Sequence, residues 1–345
     1  MRISMPLQYA GEAKPAVDQV VELEKAGLDT VWVAEVYGYD SPTLMGYIAA
    51  RTERVNIGSA ILPIYSRTPS LIAQTAAGLD YLSDGRAVLG LGASGPQVIE
   101  GWHGVPYSKP LGLTRDVVEI CRKVWAREER VTHEGRTYSL PLPPERGTGL
   151  GKPLKMINHP VRSSVPIFLA SLGEKNVAMT AEIADGWLPH LFIPEKADTV
   201  WGEALARGRA ERDPALGELQ ISAGGLLAIG EGEETRKLAD FTRPMIALYV
   251  GGMGAKGKNF YNDVARRYGY EEAAERIQDL YLEGKKEEAA AAVPDEFVEL
   301  TNLVGPESYV RERVAAFRAA GVTHLNVTPV GDDPVKLVEK LRSML

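Results

Sequence analysis

The sequence predicts a single (β/α)8 barrel spanning residues 1–345. Short apolar runs alternate with amphipathic helical stretches along most of the chain, which implies a parallel sheet with right-handed crossovers. About eight such runs can be counted, the number that closes a barrel. The turn after the first run, Gln8-Tyr-Ala-Gly11, lacks the GxGxxG with which an open doubly wound sheet usually begins.

The first strand is Arg2 to Leu7. Val17, Val20 and Val21 then mark a helix face at i, i+3, i+4, and Gly27 stands just past its end. Strands follow at Thr30–Ala34 and Val55–Ile61, with a helix over Pro42–Arg51 between them. Pro69 opens a helix whose predicted core face carries Leu71, Ile72, Leu79 and Leu82. Arg86–Leu91 is the fourth strand. The next helix, Leu113–Arg127, puts Val117, Val118, Cys121, Val124 and Trp125 on one stripe, where Cys121 reads as core packing. The rhythm resumes with a strand at Val165–Ala170, a helix at Glu174–Ile183 and a strand at Gly186–Leu188. A helix at Pro194–Glu211 and a strand at Leu219–Ile229 follow. A helix at Tyr309–Ala320, a strand at His324–Thr328 and a helix from Pro334 complete the pattern. Two segments interrupt it: residues 128–164, a proline-rich loop excursion, and residues 233–301, a helical insertion before the last strand. Both are expected to border the barrel mouth.

Composition narrows the function. The 345 residues are 45% hydrophobic and 25% charged, ordinary for one globular domain of this size. A formal net charge of -7 and the lack of a basic block argue against nucleic acid as a partner. The single cysteine permits no intrachain disulfide or CxxC site, and the five histidines show no HExxH, so no protein-bound metal is expected. The N-terminus lacks a signal-peptide pattern, and no run nears the roughly 18 apolar residues of a membrane span. A cytoplasmic protein acting on a small molecule is the expectation.

In such a barrel the chemistry sits at the C-terminal strand ends. Two of these read as anion cradles. Leu89-Gly-Leu-Gly-Ala-Ser-Gly-Pro96 places small residues after the fourth strand, and Ala170-Ser-Leu-Gly-Glu-Lys-Asn176 joins the fifth strand to a helix N-terminus. Each is also compatible with an ordinary tight turn. Together they point to one phosphate held between two loops.

Five stretches, in order, resemble a known family. They are Gly27-Leu-Asp-Thr-Val-Trp-Val-Ala-Glu35; Ile57-Gly-Ser-Ala-Ile-Leu-Pro63 with Arg67-Thr-Pro-Ser-Leu-Ile-Ala-Gln74; Leu82-Ser-Asp-Gly-Arg-Ala-Val-Leu-Gly-Leu-Gly92; Pro166-Ile-Phe-Leu-Ala-Ser171; and Ala184-Asp-Gly-Trp187. The chain thereby resembles the luciferase-like monooxygenase superfamily, and within it the coenzyme F420-dependent oxidoreductases. Arg243-Pro-Met and Gly251-Gly-Met-Gly254 resemble the branch of methylenetetrahydromethanopterin reductase.

The resemblance implies a deazaflavin resting on a third-strand bulge with a non-proline cis peptide, here Ala60-Ile61, and held by Ser59, Ala60 and Ile61. Ala93, Ser94, Gly95, Ser171, Leu172, Gly173, Glu174 and Lys175 would hold its phosphate side, and Glu35 its ring or ribityl chain. Relatives carry a histidine after that acid; Val36 occupies the position here. Glu35, Tyr37 and His190 are therefore the candidates for proton transfer. Trp102, His103, Tyr65, Tyr249 and Met253 are candidate pocket walls, and Lys256 and Lys258 candidate contacts for the acidic cofactor tail. The expected function is F420-dependent hydride transfer to or from a small organic substrate, by a homodimer. An FMN-dependent monooxygenase on the same barrel, or a carrier that binds deazaflavin or flavin without turnover, are the alternatives.

Overall fold

The computed structural model describes residues 1–7 and 12–345; the expected strand end at Gln8-Tyr9 and the turn after it lie outside the described residues. Eight parallel strands form the barrel: β1 (Arg2–Pro6), β2 (Thr30–Val33), β3 (Asn56–Ser59), β4 (Ala87–Gly92), β5 (Ile167–Ala170), β6 (Gly186–Leu188), β7 (Gln220–Ala223) and β8 (His324–Asn326). Each pairs with its successor, and β8 closes on β1 through Arg2↔His324 and Ser4↔Asn326. The surrounding helices are α1 (Ala13–Lys25), α2 (Ser41–Arg51), α3 (Pro69–Leu82), α4 (Pro110–Ala126), α5 (Glu174–Ile183), α6 (Ala197–Ala210), α7 (Glu307–Ala319) and α8 (Pro334–Arg342).

Strand parity explains the barrel. Ile3, Met5, Val31, Val33, Leu89, Leu91, Ile167, Leu169, Ile221 and Leu325 are buried and belong to the hydrophobic core. The alternate residues face the axis and are mostly small or polar; the exceptions include three rings and Leu188, whose Cδ1 would lie 3.4 Å from a Gly90 β-carbon. Trp32 on β2 lies 5.3 Å from Phe168 on β5, and Phe168 meets His324 on β8 edge-on at 5.7 Å. Ser4 on β1 and Ser222 on β7 bring their hydroxyls within 3.3 Å. Strands that are not neighbours can make such contacts only across the interior. Gly58 and Gly186 make room for the rings, since a β-carbon at either would lie 2.2 Å from Trp32 or Phe168 respectively.

Several expectations need correction. Leu71 and Leu82 are 48% and 64% exposed; the buried face of α3 is Ile72, Ala73, Ala76 and Leu79, so the two leucines flank it at either end. Val21 is likewise only partly buried, and Leu23 takes its place on α1. The strand read as Leu219–Ile229 is two, because Gly224-Gly225 leaves the barrel between them. β-Carbons there would lie 2.2 Å from the Asn326 carbonyl and 2.0 Å from that of Thr301. The second piece, Leu226–Ile229, forms a small parallel sheet with Leu303–Gly305 and Thr328–Pro329.

The 128–164 excursion carries an antiparallel hairpin, His133–Glu134 with Ser139–Leu140. Asp116 of α4 pins it. Its carboxylate accepts from His133 Nε2 (3.1 Å), the amides of Arg136 (3.2 Å), Thr137 (2.8 Å) and Tyr138 (2.9 Å), and Thr137 Oγ1 (2.6 Å). Burial alone would raise this carboxyl, but the hydrogen bonds from Thr137, His133 and Tyr138 outweigh it and hold Asp116 below its ordinary value. Asp116→Asn replaces one acceptor oxygen by an amide donor facing N–H groups. It should cost about 2 kcal/mol of unfolding free energy in urea denaturation. An unchanged midpoint would remove the pin from the account of the hairpin.

The 233–301 insertion is helical as expected. It contains a π-helical turn over Leu248–Gly252 and helices at Phe260–Arg267, Glu271–Leu282, Lys286–Ala291 and Asp295–Thr301. Gly251 and Gly252 pack on Tyr281, where β-carbons would meet its side chain at 2.5 and 2.4 Å. Among the described residues no helix is long and apolar enough to cross a membrane.

Candidate active site

The ends of β3, β4 and β5 converge. The Ala60–Ile61 peptide is cis and non-proline. It interrupts the ladder between Ser59 and Leu62–Pro63, where pairing to β4 resumes. A β-carbon placed on Gly92 would lie 3.0 Å from Ile61 Cδ1 and 3.4 Å from the Ala170 β-carbon. The third, fourth and fifth strand ends thus meet over one floor, at Gly92, beside the partly exposed Ile61 and the methyl of Ala170.

The two predicted turns flank this floor. In the first, Ser94 is exposed with φ +57°, and Gly95 precedes a short helix over Pro96–Gly101. In the second, Gly173 precedes α5; its carbonyl accepts from the Asn176 amide at 3.0 Å, and the Glu174 and Lys175 amides stand ahead of the helical ladder. Lys175 is exposed on that turn. Two serine hydroxyls beside this floor are engaged within the protein. Ser59 Oγ is buried, donating to Gly90 O (2.8 Å) and accepting from Gly90 N (2.9 Å), so it stitches β3 to β4. Ser171 Oγ lies 2.8 Å from Thr180 Oγ1 and is buried beneath α5. At both positions only the backbone can face a ligand. The carbonyls of Ser171 and Leu172 are held by the indole N–H groups of Trp187 and Trp201, each at 2.9 Å, which fixes the turn.

Glu35, Tyr37 and His190 fall in three separate clusters. Glu35 accepts two hydrogen bonds from Arg67 (2.5 and 2.9 Å), one from the Ser41 amide (2.9 Å) and one from the Ser41 hydroxyl (3.3 Å). Its side chain is 7% exposed. A carboxylate so occupied anchors the β2–α2 turn to Arg67. Arg67 lay within a quoted motif, but only the fold reveals its partner. Tyr37 is exposed on the rim, its ring 6.4 Å from Trp102, with Val36 exposed beside it. Tyr65 pairs with Tyr107 at 5.2 Å on the same rim. Lys256 is committed to Asp279 on the insertion.

His190 follows β6 and packs against Tyr249 at 4.0 Å and edge-on to Tyr261 at 5.6 Å; the two tyrosines meet at 4.7 Å. Burial pushes its imidazole down to about 4, so the ring is neutral at pH 7. Its Nε2 is buried with no hydrogen-bond partner among the described residues. Tyr261 was not foreseen. It is brought there by Asn259, whose side chain caps the helix through the amides of Tyr261 (2.9 Å) and Asn262 (3.3 Å) and donates to the carbonyls of Tyr249 (2.9 Å) and Val250 (3.0 Å). The neighbouring Phe260 reaches the cradle, its ring 3.2 Å from where a Gly173 β-carbon would stand. One helix end therefore links the cradle to the His190 cluster.

Known proteins resemble this chain in sequence and in fold. The profile of the luciferase-like monooxygenase family matches residues 1–324. A Mycobacterium tuberculosis protein named "Putative coenzyme F420-dependent oxidoreductase Rv3520c" is 42% identical over 341 residues, covering 97% of each chain. The 5,10-methylenetetrahydromethanopterin reductase of Archaeoglobus fulgidus is 26% identical, covering 92% of this chain and 90% of its own. Among solved structures, the coenzyme F420-dependent tetrahydromethanopterin reductase of Methanopyrus kandleri superimposes with a TM-score of 0.79 at 21% identity. That match covers 100% of this chain and 98% of the other. The chain belongs to the luciferase-like monooxygenase family.

Proposed function

We propose that this chain is an oxidoreductase that binds coenzyme F420 and transfers a hydride between the cofactor and a small organic substrate. The observation that carries the reading is the common floor made by the cis Ala60–Ile61 step, Gly92 and Ala170 between two turns rich in backbone donors. A flat ring needs a surface without projecting side chains, and a phosphate needs convergent N–H groups. The name of the 42% identical relative points to the same cofactor.

When bound, the deazaflavin supplies two-electron hydride chemistry at C5. The residues of the chain bind and orient. The backbone of Ala60 and Ile61 would support the ring from one side. Amides of Ala93, Ser94, Gly95, Leu172, Gly173, Glu174 and Lys175 would meet the phosphate, with the Lys175 ammonium near the acidic tail. Glu35 and Arg67 fix the turn beside them. Confining both reactants in this way removes much of the entropic barrier to transfer. A homodimer is part of the reading, and the leucines that α3 leaves exposed, Leu71 and Leu82, are side chains that a partner could cover; a cytoplasmic location goes with it.

The test is a fluorescence titration of the purified protein with F420 and with FMN. F420 should bind roughly 100-fold more tightly. The reverse ranking would make the chain a flavin enzyme of the same family. Tight F420 binding without hydride exchange against any alcohol, carbonyl or alkene would make it a carrier.

A further inference from the structure

We infer that the wall formed by His190, Tyr249 and Tyr261 selects an uncharged substrate, with a carbonyl or hydroxyl oxygen hydrogen-bonded to His190 Nε2 and a flat or apolar body against the tyrosine rings. The inference rests on the hydride-transfer reading above and names its substrate class.

A buried ring nitrogen with no partner is uncommon, because the lost hydration is not repaid. Nε2 of His190 is in that state. The surroundings are built rather than incidental. Asn259 and Asn262 both donate to the Val250 carbonyl, at 3.0 and 3.1 Å, so the turn bearing Tyr249 and the helix bearing Tyr261 are locked together. The same helix end touches the cradle at Gly173 through Phe260. The wall thus connects to the turn at Gly173 and is held rigid, as a recognition surface must be.

Its chemistry excludes ions. The imidazole is neutral and the Tyr261 phenol is pushed up by burial, so neither carries charge at pH 7. Arg67, the guanidinium in the turn after β3, is spent on Glu35. A phosphorylated or carboxylated substrate would find no paired cation on this wall, and burying an unpaired charge is costly. A ketone or aldehyde meets no such penalty. Its oxygen takes the imidazole N–H, and its body stacks on the rings.

The redox step balances with the reduced cofactor as reductant. Hydride adds to the carbonyl carbon, and the C=O π pair moves to oxygen. That oxygen takes a proton through the Nε2–H hydrogen bond, which solvent replaces at Nδ1 as the oxidised cofactor releases its own ring proton. Alcohol oxidation is the reverse. Carbonyl reduction starts from the tautomer protonated at Nε2, and alcohol oxidation from the one protonated at Nδ1.

The experiment measures binding by saturation-transfer NMR to the F420-loaded protein, using acetophenone, cyclohexanone and glucose 6-phosphate as probes. The two ketones should bind and glucose 6-phosphate should not. His190→Phe keeps the ring but removes the hydrogen bond, and should weaken acetophenone about tenfold. His190→Gln should recover part of the loss, and F420 affinity should be the same in all three proteins. Three results overturn the inference: glucose 6-phosphate binding more tightly than both ketones, neither ketone binding, or His190→Phe binding acetophenone as well as the parent. Failure of F420 to bind at the outset would sink the cofactor reading instead, and the same probe comparison would then be made on the cofactor-free protein.

Discussion

Leucine at position 92 is expected to weaken F420 binding at least ~100-fold while leaving the barrel folded. The effect is steric. The β-carbon of any residue here would stand 3.0 Å from Ile61 Cδ1 and 3.4 Å from the Ala170 β-carbon, on the floor shared by the three strand ends. The Ile61 side-chain end can yield by a few tenths of an ångström, so alanine should be tolerated with a smaller loss. The longer leucine side chain has one open direction, outward into the mouth, which is where a planar ring would rest. Removing volume from a site costs contacts, but adding it where the ligand must lie forbids the bound geometry. The contrast is Gly90, one inward position lower, where a β-carbon would stand 1.8 Å from the backbone oxygen of Ser59. Substitution there should unfold the β3–β4 pair rather than spare the fold. Titration of Gly92→Ala and Gly92→Leu with F420, beside thermal melts of both, separates the two effects. A leucine variant that binds F420 like the parent would mean that the cofactor lies elsewhere.

Much of this architecture was legible because barrel strands report on both faces. The outward residues of β4, Leu89 and Leu91, are large and apolar, while Gly90 and Gly92 between them are small. That alternation reads as a strand with a packed back and an unfilled front. Helix α5 and strand β6 have the bounds expected from sequence, since Gly173 and the Ala184-Asp185 step punctuate them on either side. What was hidden depends on pairs distant in the chain. Glu35 looks the same in sequence whether it meets a ligand or Arg67, 32 residues away. The sequence does not show where the Ser59 and Ser171 hydroxyls go; the fold pairs them with Gly90 and Thr180. Leu71 and Leu82 fit an apolar count, but small alanines do the packing on α3, because its close approach to neighbouring helices leaves little space. The His190 cluster joins three segments, and only its first two members carried any local signal: a strand end and an aromatic in a glycine-rich break.

Stability should fall as pH drops from about 6.5 towards 4, and His324 should account for a large part of the fall. Its ring is 3% exposed, bonded through Nδ1 to Thr323 Oγ1 at 2.9 Å and edge-on to Phe168. Burial, reinforced by the positive charges of Arg2 and the N-terminus and only partly opposed by Asp29, pushes it down to about 4. The sign follows from proton counting. Between pH 4 and 6.5 the unfolded chain binds a proton at this residue and the folded chain does not, so acid favours unfolding. The full shift is worth roughly 3 kcal/mol below pH 4, and none of it is felt above pH 7. His190, lowered to about 4 by burial, adds a loss of the same sign over the same window. Asp116 acts in a different window: its depressed value keeps its contribution intact until the pH falls below the ordinary carboxylate range. His324→Phe keeps a ring against Phe168 but cannot be protonated. It should be less stable than the parent at pH 7.5, where the Thr323 hydrogen bond is lost, and should close that gap as pH falls to 4.5. Urea midpoints at four or five pH values decide the matter. Parallel curves for parent and variant would show that the interior of this barrel accepts the charged imidazole, and that the acid sensitivity has another source.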